Sequence, residues 1–102
     1  MHMNWKRKTD RAILVELGNR IRQKRIQNRF KQSDLAQRAG ISVYTLQKME
    51  HGQSYNVTTL IQVLRALNEL EQLELFLPPM EISPIELLKS KEKTRLRVRN
   101  ST

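Results

Sequence analysis

The sequence predicts an all-α domain of five short helices, with a C-terminal appendage that begins helical and ends extended and basic. Three observations carry this prediction. Apolar residues recur at three- and four-residue spacing from Ile13 to Leu77, the repeat of helices buried on one face. The two-residue alternation of strands is absent from that stretch. The apolar stripes are separated by residues that end helices: Gly40, Gly52, Asn68 and Pro78-Pro79.

The first helix is expected to begin near Thr9, with Asp10 in its first turn, and to end near Gln27-Asn28. Ile13, Leu17 and Ile21 repeat every four residues and Leu14 widens the stripe. Phe30 then enters the core. The stretch QSDLAQRAGISVYTLQKMEHG, from Gln32 to Gly52, reads as two short helices joined by a sharp turn. Leu35-Ala36 form the apolar patch of its first helix, Gly40 supplies the left-handed residue that ends it, and Ile41 plugs into the core. Ser42 is an N-cap for the next helix, which buries Leu46 and Met49 and closes at Gly52. Two helices held at a steep angle by so short a turn make a helix-turn-helix.

After a loop from Gln53 to Asn56, with Asn56 as N-cap, Val57, Leu60, Ile61, Leu64 and Leu67 describe a fourth helix that Asn68 can end in the left-handed region. A fifth is expected from Glu69 to Leu77, with Leu70, Leu73, Phe76 and Leu77 on one side, stopped by the prolines. The expected core is Leu17, Ile21, Phe30, Leu35, Ile41, Leu46, Leu60 and Leu64. Ser83-Pro84-Ile85-Glu86 has the form of a helix start, and Arg95-Leu96-Arg97-Val98-Arg99 alternates as an extended segment does. The chain therefore divides into a flexible N-terminus (1–8), a helical domain (9–77), and a Pro-initiated segment with a basic tail (78–102).

A chain of 102 residues holds one such domain and little more. It has no cysteine, which excludes disulfides and thiol-bound metal and fits a reducing cytoplasm. No apolar run approaches the ~20 residues of a membrane span. The basic start Lys6-Arg7-Lys8 leads into an amphipathic stretch, so no signal peptide is expected. Charge is unevenly placed. Residues 1–48 hold 12 Lys/Arg against Asp10, Glu16 and Asp34; residues 49–88 hold Arg65 against six glutamates; residues 89–102 hold six bases against Glu92. A polyanion would be drawn to both ends and repelled by the middle. With a helix-turn-helix in the first basic third, the polyanion expected is double-stranded DNA.

Gln32, Leu35-Ala36, Gly40-Ile41-Ser42, Thr45-Leu46 and Glu50-x-Gly52 together resemble the Cro/C1-type (xenobiotic-response-element) helix-turn-helix family of bacterial regulators, from about Leu17 to Leu67. The resemblance implies a five-helix, lambda-repressor-like domain. Three residues depart from the family pattern: Lys31 replaces a Ser or Thr cap, Arg29 often a Gly, and Lys24 often a Leu. Asn28 is expected to provide the left-handed residue in place of that Gly.

The N-terminal part of a recognition helix points at base edges, which nominates Ser42, Val43, Tyr44 and Gln47, where the family makes its usual base contacts. Gln47 suits adenine, Val43 a thymine methyl, and Tyr44 a methyl, a phosphate or simply solvent. Phosphate contacts are expected from Gln32, which the family uses both to bind phosphate and to brace the recognition helix, and from Thr45, Lys48 and Asn56. Asn56 serves equally well as a plain N-cap. Arg22 and Arg25 either clamp phosphate or pair with Glu50, and for Arg25 the pairing is favoured. His2 and His51 stand alone, with no glycine-rich phosphate loop and no spaced ligands, so neither catalysis, a metal nor a cofactor is expected.

Two roles fit these features. One is a dimeric, sequence-specific repressor on an inverted-repeat operator, located in the cytoplasm at the nucleoid. The other adds a protein partner: Leu64-Arg65-Ala66-Leu67-Asn68, the acidic leucine stretch, Pro78-Pro79, Ser83–Lys89 and the basic end are similar to HipB-like antitoxins, a likeness that implies a HipA-like kinase toxin as partner. A membrane partner is not expected, because the tail lacks a broad apolar face.

Overall fold

Helix formation follows the caps. In the computed structural model, which describes residues 3–80 together with Ile85, Leu88, Lys89 and Lys91, four α-helices run Asp10–Gln27 (α1), Gln32–Ala39 (α2), Val43–Glu50 (α3) and Val57–Ala66 (α4). Short 3-10 helices lie before them at Trp5–Arg7 and after them at Leu70–Leu75. No strand occurs among the described residues, and the architecture is all-α with five helices in the domain. Three helices start on a side-chain cap: Thr9 accepts from the amide of Ala12, Ser42 from Thr45 and Asn56 from Thr59. At α2, where Lys31 has no acceptor to offer, the Asp34 carboxylate accepts the Lys31 backbone N–H at 2.8 Å.

All four helices end in one way. A left-handed residue reverses the chain at Arg29, Gly40, Gly52 and Asn68. In each case the next amide reaches back to the carbonyl five residues earlier, as Phe30 does to Arg25 and Ile41 to Ala36. This corrects the expectation for Asn28. Arg29 itself takes the left-handed position, at φ 60°, while Asn28 sits at φ −82° and its side-chain amide donates to the Lys24 carbonyl. The reversal needs positive φ one residue beyond Asn28, so arginine is held where glycine would cost less.

The fifth element also differs from its expectation. It is a 3-10 helix that ends at Leu75, not an α-helix reaching Leu77. Pro78 disfavours helical backbone at Leu77, which sits at φ 49°, so the helix stops short of it. The helix start expected at Ser83-Pro84 and the extended run at Arg95–Arg99 lie outside the described residues, though Ile85, Leu88, Lys89 and Lys91 have helical backbone.

α1 packs on α3, and α2 packs on both α3 and α4. The buried core is Ile21, Leu35, Ala36, Ala39, Leu46, Met49, Val63 and Leu67, with Phe30, Ile41, Tyr55, Leu60 and Ala66 packed against it. Leu17 and Leu64, expected inside, are half-buried at the edge, and Val57 is exposed on the first turn of α4. Leu60 and Leu67 of the expected stripe do face the core, but Val63, which was not in it, is fully buried between them where Leu64 was expected. The Tyr55 hydroxyl is buried without a partner among the described residues, and burial pushes its titration up. Outside the core, Lys24 pairs with Glu69 at 2.9 Å and holds that carboxyl below its usual range. Trp5 lies under the Arg20 guanidinium, 5.1 Å from its ring centre. No helix among the described residues is long and apolar enough to cross a membrane.

Candidate nucleic-acid interface

The candidate interface is α3, which has one buried side and one exposed side with Thr45 and Lys48 half-buried between them. Leu46, Met49 and Glu50 are buried, while Tyr44, Gln47 and His51 follow one another at three- and four-residue spacing on the outward face, with Lys48 half-buried beside them. Val43 flanks that face at the helix start, 38% exposed, and Tyr44 is 68% exposed. Ser42 is committed locally: its hydroxyl accepts from the Thr45 amide and donates to Thr45 Oγ1 at 2.8 Å. The Lys48 ammonium lies over the Tyr44 ring, 5.1 Å from the centroid, so two neighbouring outward side chains form one unit.

A chain of hydrogen bonds fixes this helix to the rest of the domain. Glu50 is buried at the end of α3, its side chain 2% exposed. Arg25 grips it with two donors, Nε to Oε2 at 2.7 Å and Nη2 to Oε1 at 3.1 Å, while Nη1 donates to the Phe30 carbonyl at 3.0 Å. Gln32, the first residue of α2, donates to Glu50 Oε1 at 3.2 Å and accepts from Gln47 Nε2 at 3.2 Å. A buried charge left alone is costly, so the full set of partners on Glu50 holds α1, α2 and α3 in one register.

Gly18 makes that register possible. A Cβ there would stand 2.5 Å from the Met49 carbonyl oxygen and 2.7 Å from that of Glu50, so only glycine lets α1 lie this close to the end of α3. Sequence reasoning missed Gly18 because a mid-helix glycine advertises no partner. The resemblance implied that Gln32 braces the recognition helix, and it does so through Glu50 and Gln47, partners that the sequence does not name. The Arg25–Glu50 pairing stands as favoured.

The residues nominated for phosphate surround this face. Gln32 is half-buried beside α3, Thr45 and Lys48 are half-buried on it, Arg22 is exposed on α1, and Asn56 caps α4 through both the amide and the hydroxyl of Thr59. Arg22 does not pair with Glu50, whose oxygens are taken by Arg25 and Gln32. It lines a concavity of about 350 Å³ with Asn19, Arg25, Gln32, Glu50 and His51.

A helix-turn-helix family model matches residues 21–73, a little over half of the chain, and covers α2, α3, α4 and the network around Glu50. No curated protein matches the chain. With the helix order, the turn at Gly40 and the outward polar face of α3 in agreement, the chain belongs to the Cro/C1-type helix-turn-helix family of DNA-binding transcription regulators.

Proposed function

We propose that the protein is a sequence-specific transcriptional repressor that binds an inverted-repeat operator as a homodimer. The observation that carries this reading is the outward face of α3: polar, uncovered, and held rigidly by bonds from two other helices. Ser42, Val43, Tyr44 and Gln47 are assigned to base edges, and Gln32, Thr45, Lys48, Asn56 and Arg22 to phosphates. Gln47 keeps its side-chain carbonyl and one N–H free of the Gln32 bond, the pair that adenine requires. An eight-residue helix is about 12 Å long and spans about four base pairs at ~3.4 Å each, too few for an operator, which favours two copies.

Selection of duplexes from a random pool tests this. The expected product is an inverted repeat with half-site centres about 34 Å apart, bound about a thousandfold or more tighter than a scrambled duplex. Neutralising on the order of six phosphates gives a log–log salt slope near −5. A pool that never enriches, or a monomeric mass on its best duplex, would overturn the reading.

A second reading adds a partner, namely an antitoxin of HipB-like type that binds a HipA-like kinase. Its support is the row of uncovered apolar side chains beyond α4: Leu75, Phe76, Leu77, Met80, Ile85 and Leu88, each at least 68% exposed. Such a row suits either a dimer seam or another protein. Recovery of a kinase-fold protein with the chain from its native cell supports the second reading; recovery of the homodimer alone returns it to the first.

A further inference from the structure

We infer that Glu50 is a positioning residue for base readout: through Gln32 it fixes which end of the Gln47 amide faces the groove, and so sets adenine over guanine. The inference rests on the assignment of Gln47 to a base edge and adds the origin of its choice.

A side-chain amide is reversible, because its carbonyl accepts, its NH2 donates, and the two ends are nearly equal in size. At the inner end of this network the partner leaves no choice. Glu50 Oε1 accepts from Arg25 Nη2 at 3.1 Å, and Oε2 accepts from Arg25 Nε at 2.7 Å. A guanidinium only donates, so a carboxylate paired to it through both oxygens offers acceptors alone. Gln32 therefore turns its NH2 to Glu50, Nε2 donating to Oε1 at 3.2 Å. Its carbonyl is left for Gln47, which must donate in turn, Nε2 to Gln32 Oε1 at 3.2 Å. The relay starts on a side chain only 2% exposed and ends on one exposed at the outward face of α3.

The direction of the relay has a chemical consequence in the groove. With one N–H spent on Gln32, Gln47 presents a carbonyl and its second N–H, one acceptor beside one donor. Adenine offers the N6 donor and the N7 acceptor, which match. Guanine offers two acceptors, O6 and N7, so the Gln47 carbonyl would meet O6 with no hydrogen between them. Turned end for end, Gln47 would present both N–H groups and suit guanine instead. The buried carboxylate, which touches no base, holds it in the first orientation.

The test compares the full chain and its variants on two duplexes. One is the selected duplex; the other carries guanine for adenine, in both half-sites, at the base position that Gln47→Ala relaxes. The readout is the ratio of the two affinities, which a lost phosphate contact leaves unchanged. The wild-type chain is expected to favour adenine about tenfold or more. Gln32→Met matches the length of Gln32 and cuts the relay, so Gln47 turns freely to either base. The ratio should fall to about threefold or less, while selected and scrambled duplexes weaken evenly. Gln32→Lys offers donors only: its ammonium pairs with Glu50 and donates to the Gln47 carbonyl, turning both N–H groups outward. The preference should then invert to guanine. Arg25→Met/Glu50→Leu, which removes the acceptor at its origin, should lower the ratio as Gln32→Met does. A ratio that keeps its wild-type value in Gln32→Met, or a Gln32→Lys chain that favours adenine as strongly as before, overturns the inference while leaving DNA binding intact. If Gln47→Ala relaxes no base position, the assignment on which the inference rests fails instead.

Discussion

Gly18→Ala should destabilise the domain by about 3 kcal/mol, the upper range for overpacking, although alanine is the better helix former by about 1 kcal/mol. The new methyl would meet the carbonyl oxygens of Met49 and Glu50 at 2.5 and 2.7 Å, and the Glu50 carbonyl carbon at 2.9 Å. These are backbone atoms and cannot swing aside as a long side chain would. Relief requires α1 to move away from the end of α3, which pulls Arg25 from Glu50 and disturbs the Gln32–Gln47 brace. A lower urea midpoint with an unchanged denaturant slope is the expected signature. An unchanged or raised midpoint would mean that the helices do not approach so closely.

The second large effect is expected from Glu50→Ala, at about 3–5 kcal/mol. The carboxylate is buried and receives two bonds from Arg25 and one from Gln32. Its loss leaves a guanidinium, only 11% exposed, with no counter-charge. The double variant Arg25→Met/Glu50→Leu should recover a large part of that loss, because both charges leave the interior together. It should not recover DNA affinity, since Gln32 and Gln47 would remain unbraced. Thermal or urea unfolding separates these outcomes. A double variant as unstable as Glu50→Ala would show that shape, not charge, decides the site.

Most of the fold is legible in local chemistry. Thr9, Ser42 and Asn56 sit where three helices begin, and Gly40, Gly52 and Asn68 where three end, because caps act within a turn of their own position. The family resemblance read from Gln32, Gly40-Ile41-Ser42 and Glu50-x-Gly52 agrees with the family match. What escaped the sequence depends on distances between elements. Gly18 is defined by a helix thirty residues away. The half-burial of Leu17 and Leu64 depends on how far α1 and α4 turn toward α3 and α2, which a stripe of leucines does not specify. Arg29 was misjudged because residue preference was weighed above the bond pattern, which demands positive φ at one place whatever residue stands there. The Arg25–Glu50 pair could be named in advance because a buried glutamate needs a cation. The bracing role of Gln32 came from the family resemblance alone, and its partners Glu50 and Gln47 could not be named, since neutral side chains carry no such demand.

The central claim, that the outward face of α3 reads bases, is tested most directly by Gln47→Ala, measured for affinity on the selected duplex and on a scrambled duplex of equal length and composition. Gln47 also bonds to Gln32 in the free protein, so its loss could act through the brace instead of a base. The two routes differ in their signature. Loss of a base contact costs about 1–3 kcal/mol on the selected duplex alone and relaxes one base position. Loss of bracing, like Gln32→Ala, weakens both duplexes evenly, because phosphate contacts carry no sequence information. The account predicts a loss confined to the selected duplex. Equal losses on both would contradict it.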